Sequence, residues 1–137
     1  MKRYALTYLT VFLAFVLIDG TWLTLVAGPQ YKATIGPLLL DQIRPGAAIA
    51  FYLLQIAGMM VFVVPREGAR QALAQTALFG ALYGFFTYCT FDLTDFTVLK
   101  YWTLWLTVTD IAWGTVLSGL AAGIGVGVAD RLLGRRH

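Results

Sequence analysis

The sequence predicts an all-α, polytopic membrane protein: four transmembrane helices in one bundle, with both termini in the cytoplasm. Three observations carry this reading. The chain of 137 residues is 59% hydrophobic and only 12% charged, against roughly 25% charged in a typical soluble domain. Four apolar runs follow one another, each near the ~20 residues that cross ~30 Å of hydrocarbon. No polar stretch is long enough to make a second domain, so residues 1–137 are expected to form a single unit.

The first run spans about residues 4–27. Met1-Lys2-Arg3 resembles the charged start of a signal peptide, but the run is far longer than the roughly 7–15 residues of such a segment, which predicts a retained helix. Pro45 suits the first position of a second helix, about 46–64, which Pro65 stops. After the polar stretch Arg66-Glu67-Gly68-Ala69-Arg70, the third helix is expected over about 71–91 and the fourth over about 103–129. Between the first two, Gly36 to Ile43 carries a proline near its start and leucines mixed with polar residues, which predicts a short helix lying along the interface.

Orientation follows Lys and Arg in short loops. Lys2, Arg3, Arg66, Arg70, Arg131, Arg135 and Arg136 fall on one side, and Lys32, Arg44 and Lys100 on the other. Seven against three places both termini inside. Tyr31, Tyr101, Trp102 and Trp105 then lie near the outer boundary, where amphipathic rings are favoured. The net charge of +3 does not point to nucleic acid, because the basic residues sit at helix ends and form no basic face. A single cysteine, Cys89, excludes an intrachain disulfide, and a single histidine, His137, excludes a multi-histidine metal or haem site within one subunit. Neither a metal nor a cofactor is expected.

Polar residues inside the spans recur at one depth. Asp19 lies about 12 Å in from the outer end of the first helix at ~1.5 Å per residue. Gln55, Tyr83, Thr87 and Asp110 fall in the same outer half of their own helices. Polar groups at a common depth satisfy one another, whereas isolated ones do not. Asp19 with Trp22, and Asp110 with Trp113, are i and i+3 neighbours, so each indole N–H is in reach of its own carboxylate or the one on a facing helix. Thr76, Gly80, Tyr83, Thr87 and Thr90 form one stripe on the third helix, with Asp92, Asp95 and Lys100 at its outer mouth. The polar-site candidates are therefore Asp19, Trp22, Gln55, Tyr83, Thr87, Asp92, Asp95, Lys100, Asp110 and Trp113. The alternative is that the aspartates only tie helices together.

On the fourth helix Gly119, Gly123 and Gly127 repeat a G-x-x-x-G spacing that admits a close neighbour. At 100° per residue this ridge points away from Asp110, toward lipid or another subunit; it is the expected seam of a homo-oligomer, with packing on another helix of the same chain as the alternative.

At these motifs the chain resembles a bacterial family of short, four-helix predicted membrane proteins of unknown function. The resemblance rests on Asp-x-x-Trp-Leu (Asp19, Trp22, Leu23), Phe-Tyr-Leu (Phe51, Tyr52, Leu53), Asp-Leu-Thr with Leu-Lys (Asp92, Leu93, Thr94, Leu99, Lys100) and Asp-x-x-Trp-Gly (Asp110, Trp113, Gly114). Where the family pattern reads Tyr-Asp-Leu-Thr-Asn, this chain has Phe91 and Asp95 at the ends. The resemblance implies a multi-pass protein of the bacterial cytoplasmic (inner) membrane and carries no activity with it.

The leading functional expectation is a small transport module, proton-linked or taking a polar solute, with an outward-facing pair of intramembrane aspartates. A membrane enzyme or accessory subunit of lipid or envelope metabolism, using Asp19 and Asp110 as acid and base, is the second. It is weakened because no nucleophile stands beside a base, and no catalytic residue is assigned. The third is a structural assembly partner. Expected partners are membrane lipid, a second copy, and a small solute or proton.

Overall fold

A computed structural model describes residues 2–66 and 71–134. Arg70, Arg135, Arg136 and His137, used in the sequence reading, lie outside the described residues. Four helices form the fold, and among the described residues there are no strands. We number them α1 (Lys2–Leu38), α2 (Pro45–Phe62), α3 (Leu73–Val98) and α4 (Leu104–Leu133). By length and composition α1, α2 and α4 can cross a membrane. Helix α3 is long enough at 26 residues but more interrupted by Thr, Tyr and Gly.

The largest departure from the sequence reading lies in α1. Gly28-Pro29 reads as the end of a helix, yet the chain continues through a π-helical turn, Leu23–Ala27, into Gly28–Ile35 and a final 3-10 turn at Gly36–Leu38. Proline has no N–H, and its ring strikes the carbonyl four residues back. The turn before it is wider by one residue, which accommodates the ring: the Gly28 N–H bonds Leu23 O, five residues back, and a Cβ at residue 28 would lie 2.7 Å from that oxygen. The expected interfacial helix over Gly36 to Ile43 is thus replaced by the top of α1 and an extended link, with Leu39 in β conformation. Pro29→Ala restores the missing donor, so the turn is expected to relax to α-helix and rotate Tyr31 by about 100°. A double-mutant cycle checks this. Tyr31→Phe should cost stability in the native chain and none after Pro29→Ala.

The other ends are closed by local chemistry. Pro45 occupies the first turn of α2 after Arg44 in extended conformation, and Pro65 follows its end. Thr103 caps α4, its Oγ1 accepting from Leu106 N at 3.2 Å. At the far end Arg3 donates to Asp130 Oδ1 at 2.9 Å and to the Leu133 and Gly134 carbonyls at 3.2 and 2.8 Å. The first and last helices therefore begin and finish at the same end of the bundle.

Helix α4 is the centre, packed along α1 on one side and α3 on another, while α2 touches α1 and α3 more lightly. Glycine sets these distances. A Cβ at Gly80 would stand 2.6 Å from Ser118 O, one at Gly84 would strike Gly114 O, and one at Gly125 would stand 2.6 Å from Val11 Cα. Thr10 adds a bond across the α1–α4 seam, donating to Gly125 O at 2.8 Å. Val11, Phe15, Ile56, Met59, Leu117 and Ala121 fill the core between.

The ridge of Gly119, Gly123 and Gly127 was expected to meet lipid or another subunit. Instead it faces Leu73, Ala77 and Ala81 of α3 in the same chain. Small residues extend around much of α4, so a face half a turn from Asp110 still meets a helix of the bundle.

Candidate functional site

The two aspartates come from different helices and bind different partners. Asp19, on the turn before the π-helical segment, accepts from Tyr52 of α2 at 2.7 Å through Oδ2, and from the Trp113 indole of α4 at 3.1 Å through Oδ1. One carboxylate thus joins three helices. Asp110 accepts from the hydroxyl of Tyr31, which the continuation of α1 beyond Pro29 carries back over the bundle. Burial makes these bonds matter: Asp19 is 4% and Asp110 6% exposed, and a carboxylate in hydrocarbon costs roughly 2.5–3.5 kcal/mol or more before it is compensated.

The tryptophans divide the work. Trp113 reaches across to the aspartate of the facing helix and not to its own. Trp22 stacks flat on Trp113, with ring centroids 4.3 Å apart and planes 9° from parallel. Its own Nε1 has no hydrogen-bond partner, and neither does Nε2 of Gln55, which is 8% exposed.

Asp19 and Asp110 line one cavity of about 560 Å³ between the four helices. That volume lies within the roughly 300–1,000 Å³ of small-molecule sites. Trp22, Gln55, Thr87 and Trp113 line it as well, so six of the ten sequence candidates meet there. Thr87 contributes little polarity, because its hydroxyl donates to the Tyr83 and Gly84 carbonyls of its own helix at 3.0 and 3.1 Å. The rest of the wall is largely aromatic: Tyr31, Phe51, Tyr52, Tyr88 and Phe91. Gly114 makes room for Tyr88, since a Cβ there would clash with the carbons of the tyrosine ring.

The stacked indoles of Trp22 and Trp113 also line a second, smaller cavity of about 410 Å³ with Leu17, Ile18, Thr21, Leu25 and Val26. Leu17 and Leu25 are strongly exposed, so this groove opens on the lipid-facing side of α1. Among the described residues, the indole pair alone lines both cavities.

Four candidates lie elsewhere. Tyr83 turns toward α2, its hydroxyl over Gly58 and its ring 6.3 Å from Phe62. Asp92 is fully buried with neither carboxylate oxygen bonded, but it does not line the cavity. Asp95 is half-buried, also off the cavity wall. Lys100 is at the surface, its Nζ 5.5 Å from the Tyr101 ring centre.

Sequence reasoning missed the three tyrosines. Tyr52 carried a signal, because it lies three residues before Gln55 and so on the same face of α2. Tyr88 is one residue past Thr87 and had no periodic mark. Tyr31 depends on the π-helical turn, which regular helical spacing does not reveal.

Residues 4–127 match a family described as "Predicted membrane protein (DUF2177)". No curated protein and no solved structure matches the chain.

Proposed function

We propose, for a chain that belongs to the DUF2177 family of predicted membrane proteins, that it is a transport module of a bacterial cytoplasmic membrane. It receives a proton or small polar solute from the outer face into the cavity that holds Asp19 and Asp110. The observation that carries this reading is the pair of buried carboxylates on the wall of one molecule-sized space. A purely structural carboxylate is best sealed by donors on every side; here both border open volume, beside the unpartnered nitrogens of Trp22 and Gln55. Intramembrane carboxylates on a cavity are the usual groups of proton relays and of counter-charges to a ligand.

The orientation rests on the excess of Lys and Arg at the end where α1 begins and α4 finishes. The pairing of Arg3 with Asp130 supports an even number of crossings. The enzyme reading draws less support. Asp92, Asp95 and Lys100, its entrance groups, do not line the cavity, and the hydroxyls that do so beside a carboxylate are the phenols of Tyr31 and Tyr52, with no serine or cysteine among the described lining residues. Four helices are few for alternating access, so the working unit is two copies, joined away from the Gly119 to Gly127 ridge.

Proteoliposomes loaded with a pH-sensitive dye test the reading. Proton flux, with or without solute, should fall at least tenfold when Asp19→Asn and Asp110→Asn are combined. Asparagine at residue 110 keeps an acceptor for the Tyr31 hydroxyl, and at residue 19 its one oxygen can take the Trp113 indole N–H while its amide N–H donates to the Tyr52 hydroxyl oxygen, so the helices should still assemble. Unchanged flux in a folded double variant removes the mechanism.

A further inference from the structure

We propose that the cavity's ligand is a protonated amine on a flat, aromatic body bearing an oxygen. The inference rests on the reading that the cavity is a ligand site, and it names the class. Charge comes first: the walls carry two carboxylates and neither lysine nor arginine, so the complement is positive. The remaining wall decides between an inorganic and an organic cation. A metal ion wants several oxygen ligands at short range, whereas this space is bounded mostly by the carbon of Trp22, Phe51, Tyr88, Phe91 and Trp113. Aromatic faces attract an organic cation through their quadrupoles and stack on a flat body. At about 560 Å³ the cavity is also far larger than a bare ion.

Hydrogen bonding narrows the head group. Asp110 uses Oδ2 for Tyr31, which leaves Oδ1 as an acceptor, and each oxygen of Asp19 holds one bond with a lone pair to spare. Spare acceptors suit an ammonium with N–H donors better than a quaternary one. On the α2 wall the amide of Gln55 is more than nine-tenths buried with Nε2 unpartnered. Gln55 lines the cavity, so a turn of its amide brings that unmet donor to an oxygen on the ligand's body.

Tyramine has all three features and serves as the probe. Tryptophan fluorescence of the full chain in nanodiscs reports binding, because Trp22 and Trp113 form part of the wall. Tyramine should give a saturable change, with the neutral isostere 4-propylphenol at least tenfold weaker. Asp110→Asn should weaken tyramine at least tenfold, whereas Asp110→Glu should keep it. Ala48→Phe narrows the cavity from lightly packed α2 without touching a carboxylate and should also weaken binding at least tenfold; it decides the matter if the asparagine variant does not fold. Equal binding of 4-propylphenol, or tyramine binding unchanged in Asp110→Asn or Ala48→Phe, overturns the assignment. Proton flux separates the two readings. If tyramine does not bind but flux depends on Asp19 and Asp110, the ligand class falls and uptake stands; if tyramine binds and no flux is seen, uptake falls and the class stands.

Discussion

Gly84→Val is expected to keep α3 from seating on α4 and to cost about 3 kcal/mol, the upper part of the overpacking range. The added carbon has nowhere to go. Its first atom meets the Gly114 carbonyl and lies 2.5 Å from Ser118 Oγ, and a backbone carbonyl inside a helix cannot turn aside as a side chain can. Gly80, one turn earlier, meets Ser118 O in the same way, so the seam cannot be relieved by sliding α3 along its axis. The effect reaches the cavity, because Thr87, Tyr88 and Phe91 are carried by α3. Unfolding in mixed detergent micelles, followed by tryptophan fluorescence, checks it. Val at Leu78, an exposed position on the same helix, should change stability little. Equal stability of the two variants would sink the packing argument.

Asp19→Leu is expected to destabilise the bundle by roughly 2–5 kcal/mol, at about 1–3 kcal/mol for each buried donor left unmet. Two donors lose their acceptor, the Tyr52 hydroxyl and the Trp113 indole. Part of the loss is offset because leucine has no charge to desolvate. The magnitude therefore turns on the orphaned donors, and a double-mutant cycle isolates them. Tyr52→Phe should cost stability in the native chain and recover part of the loss once Asp19 is leucine. Strict additivity of the two changes would mean that the bond contributes nothing. Asp19→Asn, which retains an oxygen, should be much milder for stability while still removing the charge.

Much of the architecture was legible because hydropathy is a property of composition over a window. The runs around Val11, Ile56, Ala81 and Leu117 are each apolar enough to mark a helix. Common depth was also informative: Asp19, Trp22, Gln55, Thr87, Asp110 and Trp113 share one cavity, as polar groups in hydrocarbon must find each other. Depth says less about direction. Tyr83 sits at the same level as Asp19 but points at Gly58, and Asp92, Asp95 and Lys100 stay off the cavity wall. The glycine ridge misled for a related reason, since G-x-x-x-G states that a helix comes close and not which one. Tyr31 was hidden by Pro29. A proline that ends a helix and one that widens a turn look alike in sequence, and only the second carries a phenol back to Asp110.

Access of water to the space between the helices is the property on which binding, proton flux and ligand class all depend. It is measured most directly by placing a cysteine at Thr87, in a chain with Cys89→Ala, and exposing right-side-out vesicles to a charged, membrane-impermeant thiosulfonate. Thr87→Cys should react, and Leu78→Cys on the lipid-facing surface should not. A Thr87→Cys thiol that stays inert, or a Leu78→Cys thiol that reacts as fast, would contradict a cavity open to the outer face.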